Sequence, residues 1–188
     1  MGNMYDVIAR SDLHGQLNDL DAQYIIVGGL GLHAVTNAEK IDWDERAVTV
    51  SNDTDLPRLR ENGTIRDIDT LVCSTDARVI DKYKETIVRA IGGEVVASVF
   101  GLRRYEENTR GFLDFTGSRY SDDKDRLFWR LSGMETQLPR ASLDPWQIKR
   151  DDEVICNILN PVAQLGAYMN RSKRLRSEER RVGKECRS

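Results

Sequence analysis

Apolar positions along this chain change their spacing several times, and each change marks an element. The run YIIV (24–27) is too short for a helix and predicts a compact buried strand. Gly28-Gly29 ends it, and LGLHAVTNA (30–38) returns to helical spacing, so strand, glycine turn and helix follow one another directly. Ahead of them, QLNDLDAQ (16–23) predicts a short helix. From Lys40 to Gly63 the chain is polar, with RAVTV as its one candidate strand. TIRDIDTLV (64–72) predicts a strand in which Ile65, Ile68 and Leu71 are available for packing. A strong helix comes next: Asp76 caps it, Val79, Ile80, Tyr83, Ile87, Val88 and Ile91 share one face, and Gly92-Gly93 stops it. EVVASVFG (94–101) predicts another strand, followed by shorter strand-like pieces in GFLDF, RLFWRL, METQL and EVICNIL. Asn160 then caps a last helix that opens with Pro161. This order predicts an α/β (α+β) fold: a mixed sheet flanked by helices, with strand 24–27 beside strand 65–72.

The chain has 188 residues, 39% of them hydrophobic, enough to bury a sizeable core in one domain. Its longest apolar stretch, YIIVGGLGLHAV, is too short and too interrupted to cross a bilayer, so no membrane partner is expected. The first twenty residues lack a basic start followed by an apolar block, and the cytoplasm is the expected location. Cys73, Cys156 and Cys186 are odd in number and widely spaced, which suggests reduced thiols.

Residues 171–188, RSKRLRSEERRVGKECRS, lose all hydrophobic periodicity and resemble read-through segments of cloning or sequencing-adapter origin. They read either as a non-native or disordered basic tail or as a genuine solvated one. The tail holds eight Lys or Arg and three Glu. Of the chain's 28 basic and 31 acidic residues, the body 1–170 therefore keeps 20 and 28, a formal charge of −8. Strong nonspecific nucleic-acid binding is not expected of so acidic a body.

Candidate chemistry lies in the aspartates and the glycines. Asp67 and Asp69, two apart on a strand, point the same way and repel unless a metal or a basic partner lies between them. Arg66 alternates to the opposite face, where it balances charge or contacts phosphate. A strand ending in Gly28-Gly29 lets backbone approach a ligand closely, and the helix that follows offers unpaired N–H groups to an anion. With the two strands adjacent, carboxylates and glycine turn share one mouth, where Mg²⁺ could be held against a triphosphate.

IVGGLGLHAV followed by IRDIDTLV resembles the signature of the nucleotidyltransferase superfamily, which has the polymerase-beta-like fold and includes aminoglycoside nucleotidyltransferases and AbiEii-type toxins. The resemblance covers residues 20 to 101, and ILNPVAQLGAY is similar to the late strand and helix of small AbiEii-like members. It implies a Mg²⁺-dependent transfer of a nucleoside monophosphate from a nucleoside triphosphate to a hydroxyl acceptor, whether small molecule, protein or RNA. Gly28 and Gly29 would bind the nucleotide, and Asp67 and Asp69 would hold the divalent metal as catalytic residues. Such a domain usually has a helical partner for the acceptor; only one helix stands between the last strand and the tail, so a truncated domain is expected over residues 1–170. Active members place a third carboxylate on the strand after the second helix. Here Ser98 stands near that position, so the role falls to Glu94, Asp114 or Glu135 or is vacant.

Two other classes compete with this reading. A catalytically reduced relative would bind nucleotide or a partner without transfer, and an Asp-x-Asp glycosyltransferase would use a similar carboxylate pair on a sugar nucleotide. VIARSDLHGQ also resembles the first block of calcineurin-type metallophosphoesterases, with Asp12 and His14 as ligands. The chain has only two His, which cannot complete a dinuclear site, so Ser11 or Asp12 is expected near a helix cap. His33 is expected to pack against the helix or lie at the surface rather than to catalyse, and SDDKDR to form a solvated loop.

Overall fold

A computed structural model describes residues 2–63, 66–74, 76–92, 95, 97–101, 126–131, 134–139, 144–166 and 168–169. Ile65, Glu94, the segments GFLDF (with Asp114) and SDDKD, and residues 171–188 lie outside the described residues, as do the expectations placed on them.

Two short helices open the chain, α1 (Met4–Arg10) and α2 (Leu13–Asn18). The sequence predicted one helix over 16–23; instead Asn3 caps α1 by accepting from Tyr5 N–H, and α2 ends at Asn18. Ser11 closes α1, its hydroxyl donating to Ile8 O at 2.8 Å. Asp12 takes the N-cap position of α2 in a left-handed conformation, with φ 49°, and makes no side-chain cap bond.

β1 (Tyr24–Val27) is buried along its whole length, as its apolar run requires. Then come α3 (Gly29–Thr36), β2 (Lys40–Asp42), β3 (Ala47–Thr49), β4 (Ile68–Val72), α4 (Ala77–Ile91) and β5 (Ala97–Gly101). Asp76 caps α4 by accepting from Arg78 N–H at 2.9 Å. Tyr83, Ile87 and Ile91 are buried on its inner face, and Gly92 ends it at φ 110°. β6 (Arg126–Leu131) and β7 (Met134–Pro139) form an antiparallel pair of their own. β8 (Trp146–Arg150) and β9 (Glu153–Ile158) complete the strands, and residues 161–166 are helical, with Asn160 accepting from Val162 N–H at 2.9 Å.

The seven-stranded mixed sheet has the order β2-β3-β8-β9-β1-β4-β5. β1 lies beside β4, the adjacency the sequence predicted, and pairs with it antiparallel, while β4 pairs parallel with β5. Tyr5, Tyr24 and Tyr83 are fully buried in the core, each with a partner for its hydroxyl. Tyr24 accepts from Asn157 N–H at 3.2 Å and lies 2.9 Å from His14 Nδ1. Tyr5 lies 3.0 Å from His33 Nδ1, and Tyr83 donates to Ala22 O. Among the described residues no helix is long and apolar enough to cross a membrane.

Candidate functional site

The pairing of β1 with β4 sets the site's geometry. Val27 lies opposite Asp69, so the chain leaves β1 where β4 begins. Gly28 and Gly29 therefore stand at the same end of the sheet as Asp67 and Asp69. A Cβ added to Gly28 would come 2.6 Å from Asp69 Oδ2, and Gly28 has φ 74° and ψ −142°, a backbone that side chains rarely tolerate. Gly28 O accepts the first helical bond from Leu32 N–H at 3.0 Å. The N–H groups of Gly29, Leu30 and Gly31 thus precede the first intrahelical donor, Leu32 N–H, and no side chain at position 28 caps them. Gly29 is exposed, and a Cβ there would meet nothing within 4 Å. The turn is closed on its Gly28 side by the Asp69 carboxylate and open at Gly29.

Asp67 is placed differently from expectation. β4 begins at Ile68, so Asp67 belongs to the approach to the strand, and strict alternation does not fix its direction. Its carboxylate is ion-paired with Arg60, from the preceding loop, and both side chains are partly exposed. The basic partner asked for by the repeated aspartate is therefore Arg60. Arg66 has another role, donating its Nε to Pro57 O at 2.9 Å while its N–H bonds Arg58 O. Both contacts hold the chain that leads into β4.

On the next strand, Ser98 is the register partner of Asp69. This β5 position lies beside Asp69 on the neighbouring strand and carries a hydroxyl. Of the alternative acids, Glu135 lies on β7, within the separate two-stranded sheet.

A contact that sequence reasoning missed comes from the last helix. Gln164, 4% exposed, donates its Nε2 to Gly28 O at 2.7 Å. Its amide also fills the space at Gly31, where a Cβ would lie 3.2 Å from Cδ and Oε1. The only signal available was a glutamine four residues after the capping Asn160. A side chain at position 31 would crowd this amide.

The two histidines stand apart from the aspartates in role. His33 is held by Tyr5, and its pKa is lowered by burial and then by the Arg66 guanidinium, against the opposing pull of Asp55. His14 contacts Tyr24 through Nδ1 and Asn18 through Nε2, at 2.9 Å each, so both ring nitrogens are engaged within the fold. Burial lowers its pKa, with Asp12 opposing. Asp12 turns its carboxylate over Gly15, where a Cβ would lie 2.6 Å from Oδ1.

Among the described residues, no cluster of three or more His, Cys, Asp or Glu is arranged to hold a metal by itself. The donor set at Asp67 and Asp69 is two hard carboxylates. That suits Mg²⁺, which keeps several waters and is bound by one or two carboxylates together with substrate phosphates. No family model, curated protein or solved structure matches the chain.

Proposed function

We propose that this chain is a Mg²⁺-dependent nucleotidyltransferase-like domain that seats a nucleoside triphosphate on the Gly28-Gly29 turn. The observation that carries the reading is the Val27–Asp69 register, which brings a helix N-terminus and an aspartate pair to one end of the sheet. A helix N-terminus favours nearby negative charge, whether on a carboxylate or on a phosphate. Gly29 leaves room for phosphate oxygens to approach the backbone. Asp67 and Asp69 would hold the divalent ion, which when bound would offset the charge of the triphosphate and fix its oxygens. Arg60, released from Asp67 by that ion, would be free to turn toward phosphate. The incoming nucleophile would be a hydroxyl of a small molecule, protein or RNA.

A specific observation favours a second reading. Ser98 in register with Asp69 places a hydroxyl where an activating carboxylate would serve, and Ser is a poor general base. This supports nucleotide binding without efficient transfer.

Calorimetry with a panel of nucleoside triphosphates, with and without Mg²⁺, tests the first reading. Binding should be weak without the metal, because triphosphate and carboxylates repel, and should tighten when it is added. Asp67→Asn and Asp69→Asn should each remove the Mg²⁺ dependence. Loss of the exposed Arg60 pair should cost Asp67→Asn less than about 1 kcal/mol of stability. Tight binding indifferent to Mg²⁺ and to both substitutions would make the carboxylates structural. Pyrophosphate release separates the readings: binding with no release from any acceptor pool favours the reduced relative.

A further inference from the structure

We propose that Gln164 is a positioning residue that sets the phosphate-facing turn, coupling the last helix to the N-terminus of α3; this rests on the nucleotide-seat reading of Gly28-Gly29. The geometry is specific to this side chain. Gln164 Nε2 donates to Gly28 O at 2.7 Å, and the same carbonyl already accepts Leu32 N–H at 3.0 Å. The second donor is not needed to satisfy the carbonyl. Its effect is to fix the plane of the peptide joining Gly28 to Gly29, and that plane sets the direction of the Gly29 N–H. The amide plane also lies against Gly31 closely enough that a Cβ there would be tight. One glutamine thus bonds the Gly28 carbonyl and packs against Gly31.

The other end of this amide makes a purely structural role unfavourable. Gln164 Oε1 is buried, and among the described residues no donor reaches it. A buried acceptor without a partner costs stability, and an apolar side chain of similar length would remove that cost. A glutamine kept here for packing alone would be a poor choice, whereas one kept to aim the turn gives up stability for geometry. The orientation of the turn would then depend on how the last helix docks. Any element that shifts residues 161–166 would change phosphate affinity at a distance from the aspartates.

The experiment uses the full chain with inorganic triphosphate and excess Mg²⁺ as the probe, so the choice of base does not enter. Gln164→Met should keep or raise Tm, weaken triphosphate about tenfold, and shift the backbone amide resonances of Gly29 and Gly31 in the free protein. Gln164→Glu adds a signature that packing cannot produce. When protonated its carboxyl can donate to Gly28 O, and when ionised it repels that carbonyl and the probe. Affinity relative to wild type should therefore recover at low pH and fall at high pH. Asp67 and Asp69 at this end of the sheet, Arg60 on Asp67, and His33 with the Arg66 and Asp55 that act on it are common to both proteins and cancel in the ratio. A lower Tm with unchanged affinity, or unshifted amides in Gln164→Met, would overturn the proposal. If that variant fails to fold, a pH-dependent ratio for Gln164→Glu sustains the proposal only when the Gly29 and Gly31 amides of the free variant shift over the same pH range, and a pH-independent ratio or unshifted amides overturns it. If wild type does not bind triphosphate, the nucleotide reading fails, and the amide shifts still decide whether Gln164 sets the turn.

Discussion

Gly28 and Gly29 are adjacent in sequence and opposite in what they tolerate. At Gly28 a side chain would meet Asp69 Oδ2 at 2.6 Å and would hold φ at 74°, so Gly28→Ala should destabilise by roughly 1–3 kcal/mol. Gly29→Val meets open space and should leave the urea midpoint nearly unchanged while weakening triphosphate, since its methyl groups would stand where phosphate approaches. Equal losses of stability in the two variants would remove the distinction. The glycine pair and the aspartate pair were legible in the sequence because each is a short local pattern. Arg60 and Gln164 were not, since they reach Asp67 and Gly28 from 7 and 136 positions away. Sequence reasoning chose Arg66 as the balancing charge because it is adjacent. In the fold its guanidinium is spent on the Pro57 carbonyl, and a loop residue makes the ion pair.

Elements were legible where the hydrophobic period and the caps agreed. α4 has both, with Asp76 at its start and Gly92 at its end, and the fold keeps its apolar face inward. β8 was missed for a physical reason. Its alternation buries Trp146, Ile148 and Arg150, and a buried arginine breaks the apolar pattern that marks a strand. The fold compensates by bringing partners to it: Nε donates to Asn52 Oδ1 at 2.9 Å, Nη2 donates to Asn52 O at 2.6 Å, and Nη1 makes an ion pair with Asp6 at 2.7 Å without hydrogen-bond alignment. Arg150→Met should therefore cost about 2–3 kcal/mol in chemical denaturation, by stranding the Asn52 groups and Asp6. A cost below about 0.5 kcal/mol would mean that the arginine is not a structural element of the hairpin. In the last helix the apolar pattern misleads in the other direction. Val162, Leu165, Tyr168 and Met169 are exposed, whereas Gln164 is buried.

Across the whole molecule, the N-terminal helix α2 is joined to the sheet, and α3 to the N-terminal helix α1, through two tyrosine–histidine contacts, Tyr24–His14 and Tyr5–His33. Both imidazoles have pKa values lowered mainly by burial, so protonation favours the unfolded chain. Their contribution is fully present above the ordinary histidine value of about 6.5 and is lost as pH falls below it toward their folded values. Tm should accordingly fall between pH 7.5 and 5, and His33→Gln should flatten part of that slope. An unchanged slope in this variant would show that His33 is not part of the linkage. The sequence by itself determined the strand–glycine–helix unit, the aspartate pair and the capped helix α4, because each depends on residues within one or two turns of chain. Tertiary structure alone decided that Val27 faces Asp69, that Ser98 stands in register beside it, and that a glutamine from the last helix holds Gly28. Those facts come from strand order and register, which are set by the packing of the whole sheet; local spacing does not encode which distant side chain will arrive at a given carbonyl.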